Sequence, residues 1–225
     1  MVERPILFSA PMVRALLAGQ KTQTRRVVKG EALDWLQSGG FTPCYVADPG
    51  NRFCRYGYAG DALWVREAWS VDRHEPCEPH ERDYQELLSP TVRYLADDAT
   101  LKVQGDRATG VGVYRGRVGS GRPSIHMPRW ACRQVLEVVG VRIERLHDIT
   151  EADAEAEGVR EASMGDIHLI SPQGCGVLPR AVAPPLLLWE FLWKQINGDA
   201  SWDANPWVWV VEFKPLQPAI SGEQP

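Results

Sequence analysis

The chain has 225 residues, 44% hydrophobic and 24% charged, which is ample apolar material for one large domain or one domain with a sizeable insertion. It carries no long polar low-complexity tract, which excludes a disordered chain, and a net charge of −4 argues against a bulk nucleic-acid coat protein while leaving room for a local basic groove. No signal peptide, no CxxC among the five cysteines (Cys44, Cys54, Cys77, Cys132, Cys175) and no membrane-length apolar run lead to the expectation of a cytoplasmic protein with free thiols and no membrane partner.

Pro5-Ile6-Leu7-Phe8 reads as a first strand. Ser9 then caps a short helix with Pro11 in its first turn, Met12, Val13, Leu16 and Leu17 at helical spacing, and Gly19 as its stop. Gly19-Gln20-Lys21-Thr22-Gln23-Thr24-Arg25-Arg26 follows and opens a strand at Arg26-Val27-Val28. Residues 30–58 read as loop, with Gly39-Gly40, Pro43, Pro49-Gly50 and Gly57 as breakers. The run from Ala62 to Trp69 reads as a strand with Leu63, Val65 and Glu67 on one face and Trp64 and Arg66 on the other. From Asp72 to Gly110 the pattern dissolves into charge and proline, which predicts an insertion, with a strand at Val111–Tyr114 after it.

Prolines 123 and 128 keep the 120–130 stretch irregular. Ala131 to Arg145 predicts one long or two shorter strands from Val135, Val138, Val139, Val141 and Ile143. Thr150, with an acid three residues on, caps a short helix that ends at Gly158. Residues 163–185 are again irregular. Leu186 to Ile196 is an amphipathic helix with Trp189 and Trp193 one turn apart, and Trp207 to Phe213 closes the chain as a strand. The sum is a mixed, β-rich α+β domain, in the manner of a small barrel.

The 19–26 stretch holds one lysine, two threonines and two arginines directly after a glycine, a composition suited to an anionic or polar ligand. Only five lysines occur in the chain (Lys21, Lys29, Lys102, Lys194 and Lys214), so a lysine among arginines invites a chemical role, although GC-rich codon usage explains the bias equally well. Lys21 could stabilise an oxyanion, hold a phosphate or act as a base, and Thr24 could attack or orient water. Strict strand alternation would put the two on opposite faces, so their cooperation needs a bend. A solvated surface turn is the plain alternative.

Glu157 lies in the last turn of its helix, where the macrodipole and Asp153 four residues back both disfavour its charge, as suits a general acid or base. An acidic solvated face, with Glu151 and Glu155, is the other reading. Glu67 is either a partner that orients Lys21 or Arg25, or an edge-strand charge. His126, Arg129 and Trp130 could stack on a base and contact a phosphate, or plug a core. The tryptophans between 189 and 209 fit helix and strand periods and read as core. His74, Cys77 and His80 lie close enough to raise zinc, but no second ligand pair has the usual spacing, and no metal or other cofactor is expected.

Together these blocks resemble the ASCH domain family, whose fold is a PUA-like β-barrel. The resemblance rests on Gly19-Gln20-Lys21 through Thr24-Arg25-Arg26, on Gly60-Asp61-Ala62-Leu63-Trp64-Val65, on Ile149-Thr150-Glu151 through Glu157-Gly158, and on the closing Trp207–Phe213 strand. The Pro123–Trp130 loop and Trp202–Trp207 are similar to the larger ASCH-type proteins of phages and prophages. The resemblance implies one domain over 1–225, with insertions at about 30–58, 70–110 and 163–185, about twice the minimal size.

It also implies nucleoside or RNA handling. Some small ASCH proteins are metal-independent amidohydrolases acting on N4-acetylcytidine, and others are reported as ribonucleases. In the amidohydrolase type the catalytic lysine, threonine and glutamate fall on Lys21, Thr24 and Glu157. The expected site is a cleft formed by the 19–26 loop, the helix ending at Glu157 and the 122–130 loop, taking a nucleoside or a flipped base. The rival is a non-catalytic RNA-binding module using Arg25, Arg26, Arg129 and Trp130. A third reading is a phage assembly or regulatory protein that kept the fold and lost the chemistry.

Overall fold

The computed structural model describes residues 1–72, 85–106, 108–116, 118–159 and 184–216. The architecture is mixed α+β, with several sheets and few helices. Strand β1 (Glu3–Leu7) leads into helix α1 (Ala10–Leu17). The Val13 N–H donates to the Ser9 carbonyl at 2.9 Å, and Gly19 takes a φ of 68° just past the last turn, so the helix starts and stops where the sequence marks it. Strand β2 (Gln23–Val27) comes directly after.

Residues 30–58 are not simply loop. They form helix α2 (Glu31–Gln37), helix α3 (Pro43–Ala47) and a 3-10 turn at Pro49–Asn51. The breakers sit at the ends of these pieces. Gly30 and Gly39 take positive φ on either side of α2, and Pro43 occupies the first turn of α3, whose Thr42 hydroxyl accepts from the Tyr45 N–H at 3.2 Å. Trp35 stacks on Phe41 at 4.3 Å and meets Phe53 edge-on at 5.0 Å, giving the two helices an aromatic cluster of their own.

Strand β3 (Ala62–Arg66) shows the predicted alternation: Leu63 and Val65 are buried, Trp64 and Arg66 only half so. The described residues within and beside the 72–110 insertion also hold more order than its composition suggests. Strands β4 (Trp69–Val71), β5 (Gln85–Leu88), β6 (Thr91–Tyr94), β7 (Thr100–Lys102) and β8 (Val113–Gly116) form a β4-β6-β7 sheet and a β5-β8 ribbon. Short apolar pairs such as Val92 and Tyr94 alternate with Thr91 and Arg93, a two-residue period too brief to stand out among charges. Two 3-10 turns, Ser124–His126 and Arg129–Ala131, follow, each starting directly after one of prolines 123 and 128.

The valine-rich 131–145 run resolves as one eleven-residue strand, β9 (Val135–Arg145). Helix α4 (Glu151–Ala156) begins at a Thr150–Asp153 capping box. Helices α5 (Pro185–Asn197) and α6 (Ala200–Asp203) precede strand β10 (Trp207–Pro215). A five-stranded sheet has the order β1-β3-β9-β10-β2, and β2 pairs antiparallel with β10, Thr24 opposite Val211 and Arg25 opposite Val210.

Two compact units divide the chain. The first comprises Met1–Val2, Ala15–Ala62 and Glu137–Lys214. Its core joins Leu146, Ala154, Leu188, Trp189, Trp193 and Val208, and the indoles of Trp189 and Trp193 lie 5.3 Å apart, so these tryptophans are core as their period indicates. The second comprises Glu3–Arg14, Leu63–Leu136 and Pro215–Pro225, with a core of Trp69, Val71, Val92, Tyr94, Tyr114 and Met127. The 163–185 insertion lies outside the described residues save for its last two positions. Among the described residues no helix is long and apolar enough to cross a membrane.

Candidate functional site

The end of α1 builds the first part of the site. Gly19 turns the chain, and the N–H groups of Gln20 and Lys21 both donate to the Ala15 carbonyl, at 2.9 and 3.2 Å. This is the bend that strict alternation lacked, because Lys21 precedes β2 and lies in an isolated antiparallel bridge with Glu157. The Thr22 N–H adds a bond to the Ala156 carbonyl at 2.8 Å. Gly158 takes a φ of 88°, and a Cβ there would come within 2.7 Å of the Ala15 Cβ and 3.2 Å of the Lys21 Cβ. Backbone contact on both sides therefore fixes Lys21 against the end of α4.

The side chains meet as well. Lys21 Nζ lies 2.6 Å from Glu157 Oε2 and donates to the Glu157 carbonyl at 2.9 Å. The lysine side chain is fully enclosed and that of Glu157 is 4% exposed. Burial pushes the Lys21 ammonium below its ordinary range, the Glu157 carboxylate pulls it back, and the charges of Arg26 and Arg25 push it down again. The solvated surface turn is therefore corrected for Lys21 and the solvated acidic face for Glu157, which form a buried ion pair, while Glu151 and Glu155 are exposed.

Arg25 closes the other side of Glu157. Its side chain is fully enclosed, Nη2 reaches Glu144 Oε1 at 2.6 Å, Nη1 reaches Glu157 Oε1 at 3.5 Å, and its guanidinium lies 5.7 Å over the Trp189 ring. Asp153 does not act as an isolated like charge beside Glu157. Gln23 Nε2 donates to its Oδ1 at 3.0 Å, Arg25 Nη2 lies 3.4 Å away and Arg142 Nη2 3.2 Å away. Burial pushes the Asp153 carboxyl up, but the bonds from Gln23 and Thr150 and the Arg25 charge outweigh it and hold it well below the usual carboxylate range. Arg142 also pairs with Glu144 and Glu212.

Thr24 is buried on β2, and among the described residues no hydrogen bond joins its hydroxyl to Lys21 or Glu157. Arg26, half-buried, stands opposite Trp209 in the β2–β10 ladder.

The remaining candidates belong to the second unit. Glu67 is 1% exposed, and Arg133 grips it with two bonds of 2.9 and 2.8 Å. Arg133 also takes Asp97 at 2.8 Å and lies 4.0 Å over the Tyr94 ring. An edge-strand charge is thus corrected: β3 is interior to its sheet, and Glu67 just beyond it is a buried acid. Its burial raises the carboxyl above its ordinary value against the pull of Arg133. Arg129 is bound by Glu3 at 2.9 and 3.1 Å.

His126 is exposed, and Trp130 meets Trp69 edge-on at 6.0 Å. They line a cavity of about 460 Å3 with Trp69, Tyr114, Arg122 and Pro128. Two arginines line this cavity, Arg115 and Arg122, and sequence reasoning passed over both.

Glu144, Arg142 and Arg133 were missed too. Arg142 and Glu144 do carry a signal, two opposite charges two apart on a strand and so on one face. Arg133 carries none, since its partner lies 66 positions away. Among the described residues Cys44 and Cys132 are free thiols and no three His, Cys, Asp or Glu side chains group as a metal site, while His74, Cys77, His80 and Cys175 lie outside them. No family model, curated protein or solved structure matches the chain.

Proposed function

We propose that the chain is an ASCH-type, PUA-like protein that takes a nucleoside or a flipped base of RNA, and that its first unit hydrolyses the amide of N4-acylated cytosine or cytidine. The buried Lys21–Glu157 pair is the observation that carries this reading. A lysine and a glutamate 136 positions apart are held together by side-chain and backbone bonds, in a setting where burial works against the lysine's charge. Pairs of titratable groups placed so that burial and partner charge compete are characteristic of acid–base sites. Contact between the two also speaks against a protein that kept the fold and lost the chemistry.

In the proposed reaction a water positioned by the Thr24 hydroxyl attacks the acyl carbonyl, and Glu157 accepts the water's proton. Charge developing on the carbonyl oxygen is met by the Lys21 ammonium. As the C–N bond breaks, Glu157 returns the proton to the N4 amine, leaving carboxylic acid and free cytosine or cytidine. Arg25 and Glu144 hold the far side of Glu157 so that its carboxylate stays directed at Lys21.

The RNA-binding alternative drew on Arg25, Arg26, Arg129 and Trp130. Arg25 is enclosed and committed to carboxylates, and Arg129 is committed to Glu3, so two of its four phosphate or stacking contacts are already in use. The deciding experiment is hydrolysis of a panel of N4-acylated cytosines and cytidines by the wild type, Lys21→Met and Glu157→Gln. Turnover in the wild type with losses of about a hundredfold or more in both variants is expected. Turnover unchanged in either variant sinks the assignment, and no turnover together with salt-reversible RNA retention leaves a binding module.

A further inference from the structure

The cavity of the second unit has a composition that the reading above does not use. Trp69 and Arg122 hold each other by backbone: the Trp69 N–H donates to the Arg122 carbonyl at 3.1 Å and the Arg122 N–H returns a bond to Trp69 at 2.7 Å. Arg122 is thereby fixed as rigidly as a strand residue. Its guanidinium lies 5.1 Å over the Tyr114 ring and 5.8 Å over Trp69, a half-desolvated position between aromatic faces.

Arginines 25, 93, 129, 133 and 142 each contact a carboxylate. Arg122 differs: among the described residues no carboxylate lies within ion-pair distance of it. Its Nε and the Trp69 indole Nε1 are both buried and without a hydrogen-bond acceptor. Both atoms are closed off from the cavity, so it is the unbalanced charge of the Arg122 guanidinium, not these two N–H groups, that calls for an anionic partner. The ligand must therefore bring negative charge and oxygen.

The cavity adds a size and a surface. At about 460 Å3 it falls within the range of small-molecule sites, roughly 300–1,000 Å3, and it far exceeds what a lone inorganic anion fills. Trp130 and His126 offer planar groups beside the arginine. A planar, π-rich body joined to a phosphate matches every element of this lining, with the guanidinium on the phosphate and a ring face on the base.

We propose that this cavity binds a nucleotide, its phosphate at Arg122 and its base against Trp130 and His126. It is built wholly from residues of the second unit and needs no part of the hydrolase reading. The shared chemistry is a base carrying a phosphate, whether a free mononucleotide or the phosphorylated end of an RNA strand.

Trp69 and Trp130 report on the cavity, so the test is a titration of tryptophan fluorescence in the full chain, repeated by calorimetry. The probes are cytidine 5′-monophosphate, cytidine, inorganic phosphate, and short single-stranded RNA with and without a 5′-phosphate. The expected result is binding of the monophosphate at least about tenfold tighter than cytidine, with Arg122→Gln losing about tenfold or more and Arg122→Lys losing less than Arg122→Gln while keeping the preference for the monophosphate. Preference for 5′-phosphorylated RNA over the mononucleotide assigns the site to strand ends, and the reverse assigns it to free nucleotides; both uphold it.

Equal binding by Arg122→Gln of native near-ultraviolet dichroism overturns the proposal. So do cytidine binding as tightly as its monophosphate, and inorganic phosphate competing as strongly as the mononucleotide. Should Arg122→Gln not fold, the nucleotide-to-nucleoside ratio in the wild type and Arg122→Lys decides alone. Lys21→Met, taken where its near-ultraviolet dichroism is native, separates the two sites: it abolishes hydrolysis and leaves nucleotide affinity unchanged, whereas loss of affinity in the folded variant places the binding in the first unit and sinks the cavity assignment.

Discussion

Lys21 and Glu157 are each costly alone and compatible together. Removing one partner of a buried ion pair strands the other charge, at a cost of about 3–5 kcal/mol. Urea denaturation should therefore show both Lys21→Met and Glu157→Gln strongly destabilised, and the double variant destabilised by less than their sum. Additive losses would mean that the pair is not coupled. Asp153 offers a different reading, in acid. Its folded pKa lies below the unfolded carboxylate value of about 3.9, so the stabilisation is fully present above that value and is lost as pH falls through the folded one. Asp153→Asn should lose this contribution at neutral pH and show a flatter acid limb, measured as thermal midpoint between pH 7 and pH 3. A wild-type curve and a variant curve that stay parallel would remove Asp153 from the account.

Among elements, the α4 terminus decides the geometry of the pair. Gly158 has a left-handed φ and no room for a Cβ, whereas Gly30 has a comparable φ with open space around it. Gly30→Ala, at φ 62° and ψ −148°, should cost the backbone strain alone, about 1–3 kcal/mol, and Gly158→Ala should add the clash with Ala15, with a midpoint lower by about 4 °C or more and hydrolysis reduced beyond the loss of folded protein. Equal midpoints for the two variants would show that Ala15 and Lys21 move aside freely. The same elements show what was legible in advance. Helices α1 and α4 carry caps and stops inside ten residues, so pattern alone places them, together with Lys21 and Glu157 at their ends. Helices α2 and α3 escaped because Gly39, Pro43 and Pro49 are dense enough to resemble one loop, when they mark the ends of short helices. Glu67 looked like an edge charge because strand order and the Arg133 partner are long-range facts that no local window holds.

At the scale of the molecule, net charge and placement of charge point the same way about the ligand. An acidic chain of net −4 repels a phosphate backbone as a whole, and its Arg25, Arg129 and Arg133 are already engaged by its own carboxylates. Hydrolysis of a neutral nucleoside should accordingly change its KM less than about twofold between 50 and 500 mM salt, where a binder of several phosphates would lose orders of magnitude. A steep salt slope would return the protein to the RNA-binding class. The bridge between Lys21 and Glu157 spans 136 positions, and β2 further needs β10, where Thr24 faces Val211. During synthesis at about 5–20 residues per second the 19–26 loop is among the first segments to leave the ribosome and among the last to be completed. For most of that interval Lys21 has neither its carboxylate nor its neighbouring strand, so a nascent chain halted before α4 carries the recognisable motif and none of its chemistry.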